Sequence, residues 1–132
     1  MAMRVRIVCP EHDAFDGQAA FVTIPSTDGS LGVAPHHASE IHTIDEGYVR
    51  ICLHAMGTVD KTFAVGTGYV QVTGDEVVLL VEHAADLASV DREKVQAQIQ
   101  GFEDKLINLS KDDAHRSYLY NEIAWCKLLL AK

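Results

Sequence analysis

Near Ala88 the texture of the chain changes, from short β-branched runs closed by turn residues to apolar residues at helical spacing. Val95, Ile99, Phe102, Leu106 and Leu109 follow one another at intervals of four, three, four and three, which places them on one face of a helix. Ser89 or Asp91 can cap its start, because a side-chain oxygen there accepts an amide that the first turn leaves unpaired. A second start is expected at Ser110, where Ser110-Lys-Asp-Asp113 has the form of a capping box with Asp in place of Glu. So short a link makes the two helices antiparallel neighbours. The second helix carries Ala114, Tyr118, Asn121, Trp125 and Leu128 on one stripe, with Leu119, Ile123, Cys126 and Leu130 beside it. One antiparallel partner cannot cover so broad an apolar face, so Trp125 belongs either to core packing or to contact with another protein.

Upstream, Arg4–Cys9, Ala20–Ile24, Gly47–Leu53, Lys61–Val65, Gly68–Thr73 and Glu76–Glu82 read as strands. Gly74-Asp75 joins the last two as a tight hairpin, with Gly supplying a positive φ and Val72 facing Val77 near the closing end. Many short strands at close spacing predict a sandwich or flattened barrel. The expected fold is therefore mainly β plus α: an N-terminal β-sandwich over residues 1–87 and a two-helix hairpin over 88–132.

Charge divides the chain at the same place. Residues 1–90 carry four Lys or Arg against twelve Asp or Glu, whereas residues 91–132 carry seven of each. A net charge of −8 opposes binding to nucleic-acid phosphates or anionic lipid. Cys9, Cys52 and Cys126 are widely spaced, without a C-x-x-C pair, so the sequence predicts neither a disulfide framework nor a zinc knuckle, and a reducing compartment fits best. No apolar run suits a signal peptide or a membrane span, so membrane association is expected only through another protein.

Candidate chemistry is sparse. His36, His37 and His42 lie close to Glu40, but their spacing is wrong for a helical H-E-x-x-H site and no Cys is near. A metal hydrolase around His37 and His42 is the sole enzyme candidate, and the sequence favours a polar, partly exposed loop without metal. No serine stands in G-x-S-x-G. Asp28-Gly-Ser-Leu-Gly32 and Val65-Gly-Thr-Gly-Tyr69 read as β turns or bulges, since neither opens a helix after a strand in the way a phosphate cradle requires. No catalytic residue and no cofactor is predicted.

Asp28-Gly-Ser-Leu-Gly-Val-Ala-Pro-His-His-Ala-Ser39 resembles the G-x-L-G-I-x-P-G-H-A-P stretch of ATP synthase epsilon subunits, with His36 in the usual Gly place and Ser39 in the usual Pro place. A differently shaped loop backbone is expected from those departures. Phe15-Asp-Gly17 resembles the family's F-x-G turn after the first strand, and Glu46-Gly-Tyr-Val-Arg-Ile51 its P-G-x-V-R-I strand. Phe63–Val72 is similar to F-x-x-x-G-G-x-x-E-V, with Thr67 and Gln71 as departures, and Val77–Ala84 to V-T-V-L-A-x-x-A. Their order and spacing together carry the resemblance.

The resemblance implies a non-catalytic rotor subunit of the central stalk of an F-type ATP synthase. It would bind the gamma subunit and rest on the c-subunit ring, so that proton-driven rotation reaches the alpha/beta catalytic head. It would sit at the cytoplasmic face of a bacterial cell membrane as a peripheral part of the complex. Asp28, Ser30, His36 and His37 would face the c-ring, His37 foremost. The hairpin, with Arg116, Trp125, Lys127 and Lys132, would act as a brake on ATP hydrolysis when extended towards the head; a subunit that is mainly such an inhibitor is the alternative. Some relatives bind ATP through an I/L-D-x-x-R-A motif. Here it is degraded, with Asp91 kept but Lys94 in the Arg place, where a point charge replaces a guanidinium fork.

Overall fold

Ten strands account for most of the chain as far as Asp86: β1 (Met3–Val8), β2 (Asp13–Ala19), β3 (Phe21–Ser26), β4 (Gly29–Val33), β5 (Glu40–Ile44), β6 (Gly47–Cys52), β7 (Lys61–Val65), β8 (Gly68–Val72), β9 (Glu76–Val81) and β10 (Ala84–Asp86). The computed structural model describes residues 2–131. The strands run in the order β10-β7-β6-β3-β5-β8-β9-β1-β2, with β4 on the free edge of β3. Pairing is antiparallel except between β1 and β9. The β3–β5 junction is narrow, a single Ser26↔Ile44 pair. β10 lies next to β2, which nearly closes the barrel.

Alternation selects the core. Met3, Val5 and Ile7 of β1, Val22 and Ile24 of β3, Val49 and Ile51 of β6, Val70 and Val72 of β8, and Val77, Leu79 and Val81 of β9 all point inwards and form one cluster. Full burial of a side chain the size of Leu79 contributes about 2–3 kcal/mol. The β8–β9 hairpin has the expected register, Val72 opposite Val77.

Several local readings are corrected. Phe15-Asp-Gly17 is not a turn but the middle of β2, where Phe15 faces Ile7 and meets Phe63 edge to face at 5.7 Å. Gly29–Val33 and Glu40–Ile44 are strands, and the turn before β4 is confined to Thr27-Asp28. Buried Ser26 holds that turn: its Oγ donates to Gly29 O at 2.7 Å and accepts from Asp28 N–H at 3.3 Å. Gly74 needs no positive φ, which among the described residues belongs only to Gly29, His36 and Gly57. The Gly74-Asp75 carbonyls instead accept from neighbouring strands and loops, Gly74 O from His36 N–H (2.7 Å) and Asp75 O from Arg4 N–H (2.9 Å). His36, with φ +67°, adopts the left-handed conformation that glycine takes most readily. His36 and His37 lie in a turn and loop, as the sequence favours.

From Ser89 onwards the chain forms a second compact unit. Helices α1 (Arg92–Ile107) and α2 (His115–Leu130) run antiparallel, joined by residues 108–114. Asp91 caps α1, its Oδ1 accepting from Glu93 N–H (3.1 Å) and Lys94 N–H (3.3 Å). On α1, Val95, Ile99, Phe102 and Leu106 are the less exposed positions, as their spacing predicts. The second helix starts later than the Ser110 box suggests. Ser110 lies in the preceding turn, and Asp113 Oδ1 accepts from His115 N–H at 2.8 Å. Leu119, Ile123, Cys126 and Leu129 are its buried residues.

Candidate functional site

The strand pleat that buries Val70 and Leu79 turns their neighbours outwards. Register then aligns these outward residues into rows across four strands: Val8, Leu80, Tyr69 and Thr43 in one, Arg6, Val78, Gln71 and Ile41 in the next. Ile41 is 71% exposed, Tyr69 59% and Leu80 52%. Beside the first row lies an open groove of roughly 740 Å³, walled by Val8, Pro10, Thr43, Tyr69 and Leu80, with Asp45 and Glu82 at its rim. Exposed apolar patches rimmed by polar residues are where proteins meet partners, membranes or ligands. The sequence held a sign of it: Val77-Val-Leu-Leu-Val81 is apolar without alternation, as in a strand covered on both faces.

Towards β2 the same face becomes ionic. Arg4 grips Asp16 with two bonds, Nε to Oδ1 at 3.0 Å and Nη2 to Oδ2 at 2.8 Å. The Arg4 guanidinium thereby holds the Asp16 carboxyl below its ordinary range.

The four residues expected at the c-ring do not form one cluster. Asp28 and Ser30 are exposed at the β3–β4 tip, in the turn and in the first pairs of the ladder. His36 and His37 follow the other end of β4, beyond the Val22↔Val33 pair, a strand length of about 15 Å away. His36 Nδ1 lies 3.5 Å from Asp75 Oδ1, and His37 Nδ1 lies 2.9 Å from the Ala38 carbonyl.

In the hairpin, Arg116 is turned inwards. Its Nη1 donates to Leu106 O (3.1 Å) and Leu109 O (3.4 Å), and its Nη2 to the Tyr120 hydroxyl (3.1 Å). Trp125 is half-buried and Lys127 exposed, while Lys132 lies outside the described residues. Asp91 is engaged as the α1 cap, and Lys94 is exposed.

Reactive groups do not converge. His42 Nε2 is 2.6 Å from Glu40 Oε2, a contact that lowers the Glu40 carboxyl. Among the described residues no three of His, Cys, Asp and Glu stand close enough to share a metal ion. Burial pushes the Cys9 and Cys126 thiols up, away from the reactive thiolate.

Residues 2–86 match the β-sandwich domain of the ATP synthase delta/epsilon chain family. The ATP synthase epsilon chain of Synechococcus sp. (strain RCC307) is 37% identical over 99 residues, covering 75% of this chain and 71% of that one. That of Rhodospirillum rubrum is 35% identical over 100 residues, covering 76% and 73%. Among solved structures, a chain of the Euglena gracilis mitochondrial ATP synthase, in a structure of OSCP, F1 and c-ring, shares the fold with a TM-score of 0.74 at 18% identity, over 98% of this chain and 80% of that one.

Proposed function

Since the chain belongs to the delta/epsilon family of ATP synthase chains, we propose that it serves as a non-catalytic rotor subunit, linking the gamma subunit to the c-ring so that proton-driven rotation reaches the catalytic head. The Val8–Leu80–Tyr69–Thr43 row carries this reading, because it offers gamma an apolar face with an acidic rim on a stiff support. A rotor part has to transmit torque without deforming, and the interdigitated core behind that face resists deformation. The ring contact falls to the exposed β3–β4 tip with Asp28 and Ser30, while His36 and His37 lie at the far end of β4. Membrane attachment is then indirect, at the cytoplasmic face of a bacterial membrane. Among the described residues no helix is long and apolar enough to cross one.

Adding the protein back to a complex stripped of it tests the reading: ATP-driven proton pumping should return. A complex that pumps equally well without it would refute the coupling role. The second reading, that the hairpin brakes ATP hydrolysis, draws on the separate compactness of the unit from Ser89 onwards. Deletion of 89–132 should raise ATP hydrolysis while assembly and coupled pumping persist.

A further inference from the structure

An α-helix ends with carbonyls that find no partner within the helix, and these ends carry partial negative charge. At both ends of this hairpin a residue at the start of one helix donates to carbonyls at or just beyond the end of the other. Arg92, the first residue of α1, donates from Nη2 to Leu130 O, the last residue of α2, at 2.8 Å. Arg116, in the first turn of α2, donates to Leu106 O in the last turn of α1, which also accepts from Leu109 N–H, and to Leu109 O in the link just beyond that helix. We propose that Arg92 and Arg116 form a two-ended clasp that fastens the antiparallel hairpin as one cooperative unit.

A cap carried by the helix it serves survives when two helices part. These caps cross between helices, so they exist only while the hairpin is closed. Each therefore weights closure rather than helix formation. Arginine suits the task because its planar fork places several donors at fixed angles and stays charged at any accessible pH. Arg116 uses both arms of the fork, holding two carbonyls with Nη1 and the Tyr120 hydroxyl with Nη2, while its guanidinium lies 5.7 Å from the Tyr120 ring centre. The inference concerns closure alone and stands whether or not the hairpin acts on ATP hydrolysis.

Amide hydrogen exchange on the full-length protein tests it. Arg92→Gln and Arg116→Gln should each speed exchange about tenfold throughout both helices, including mid-helix amides such as those of Gln98 and Ile123. The double variant should multiply the two effects, and strand amides of the sandwich should be unchanged. Arg116→Lys, which keeps the charge and loses the fork, should fall between wild type and Arg116→Gln. Acceleration confined to the helix that bears the substitution, or to the last turn of the other, would make the arginines local caps and overturn the clasp. Unchanged exchange would overturn it equally.

Discussion

Gly68 and Gly66 stand two residues apart where the chain passes from β7 to β8, and alanine should have opposite consequences at the two positions. At Gly68 an added Cβ would fall inside van der Waals contact of the Leu80 carbonyl oxygen and 2.8 Å from the Val81 Cα. These are backbone atoms of the paired strand β9, so no side chain can swing aside. Accommodation requires β8 and β9 to separate locally. Overpacking of this kind costs about 1–3 kcal/mol. Loosening the adjacent bonds, Gly66 N–H to His83 O (2.9 Å) and Glu82 N–H to Thr67 O (3.1 Å), adds roughly 1 kcal/mol. Gly68→Ala should therefore destabilise by about 3 kcal/mol, or lower Tm by roughly 10 °C. At Gly66 the nearest atoms to such a Cβ are those of His83 at 3.5 Å, an ordinary contact, and φ is not positive. Gly66→Ala should be neutral or stabilising by up to about 1 kcal/mol, through the unfolded chain. Urea unfolding followed by circular dichroism measures both. Equal effects at the two positions, or a Gly68→Ala change under about 0.5 kcal/mol, would refute the reasoning.

Removal of the α1 cap in Asp91→Ala should destabilise the hairpin by about 1 kcal/mol, and calorimetry on the wild-type protein should give no saturable heat with ATP, since Asp91 is already engaged by Glu93 and Lys94 amides. The Glu40 carboxyl is lowered chiefly by its bond to His42, so its contribution is present above the ordinary carboxylate range and is lost as pH falls through and below it. Glu40→Gln should thus flatten the decline of urea midpoints between about pH 6 and pH 3, whereas a curve parallel to wild type would count against this pairing. A photocrosslinker at position 30 should capture a c subunit in assembled membranes and one at position 37 should not; the reverse pattern would move the ring contact to the other end of β4.

The strongest elements were legible because local chemistry and tertiary context agree there. Val95, Ile99, Phe102 and Leu106 share a face on spacing alone, Asp91 caps where a cap is needed, and Gly74-Asp75 sets Val72 against Val77. The strands that escaped notice are made by their neighbours. Asp13–Ala19 contains two Asp and a Gly, all poor strand formers, and is drawn out by β1 through pairs such as Ile7↔Phe15. Glu40–Ile44 reads as polar loop because Glu40 and His42 interrupt it, yet β8 supplies a five-pair ladder. The candidate surfaces were less legible still. Tyr69 and Leu80 become neighbours only through register, and the Arg116 fork closes on carbonyls that no charge pattern reveals.

Affinity for the isolated gamma subunit, measured by calorimetry with the wild-type protein and with Tyr69→Asp, Leu80→Glu and their double variant, tests the rotor reading most directly. Truncating or charging a central apolar anchor typically costs about 2 kcal/mol, so each single variant should bind roughly 30-fold more weakly and the double should bind beyond detection. Met56→Gln, at a residue that is 71% exposed in the β6–β7 loop and away from the two rows, should bind as wild type does. Undiminished gamma binding by the folded double variant would contradict the assignment of this face as the rotor contact.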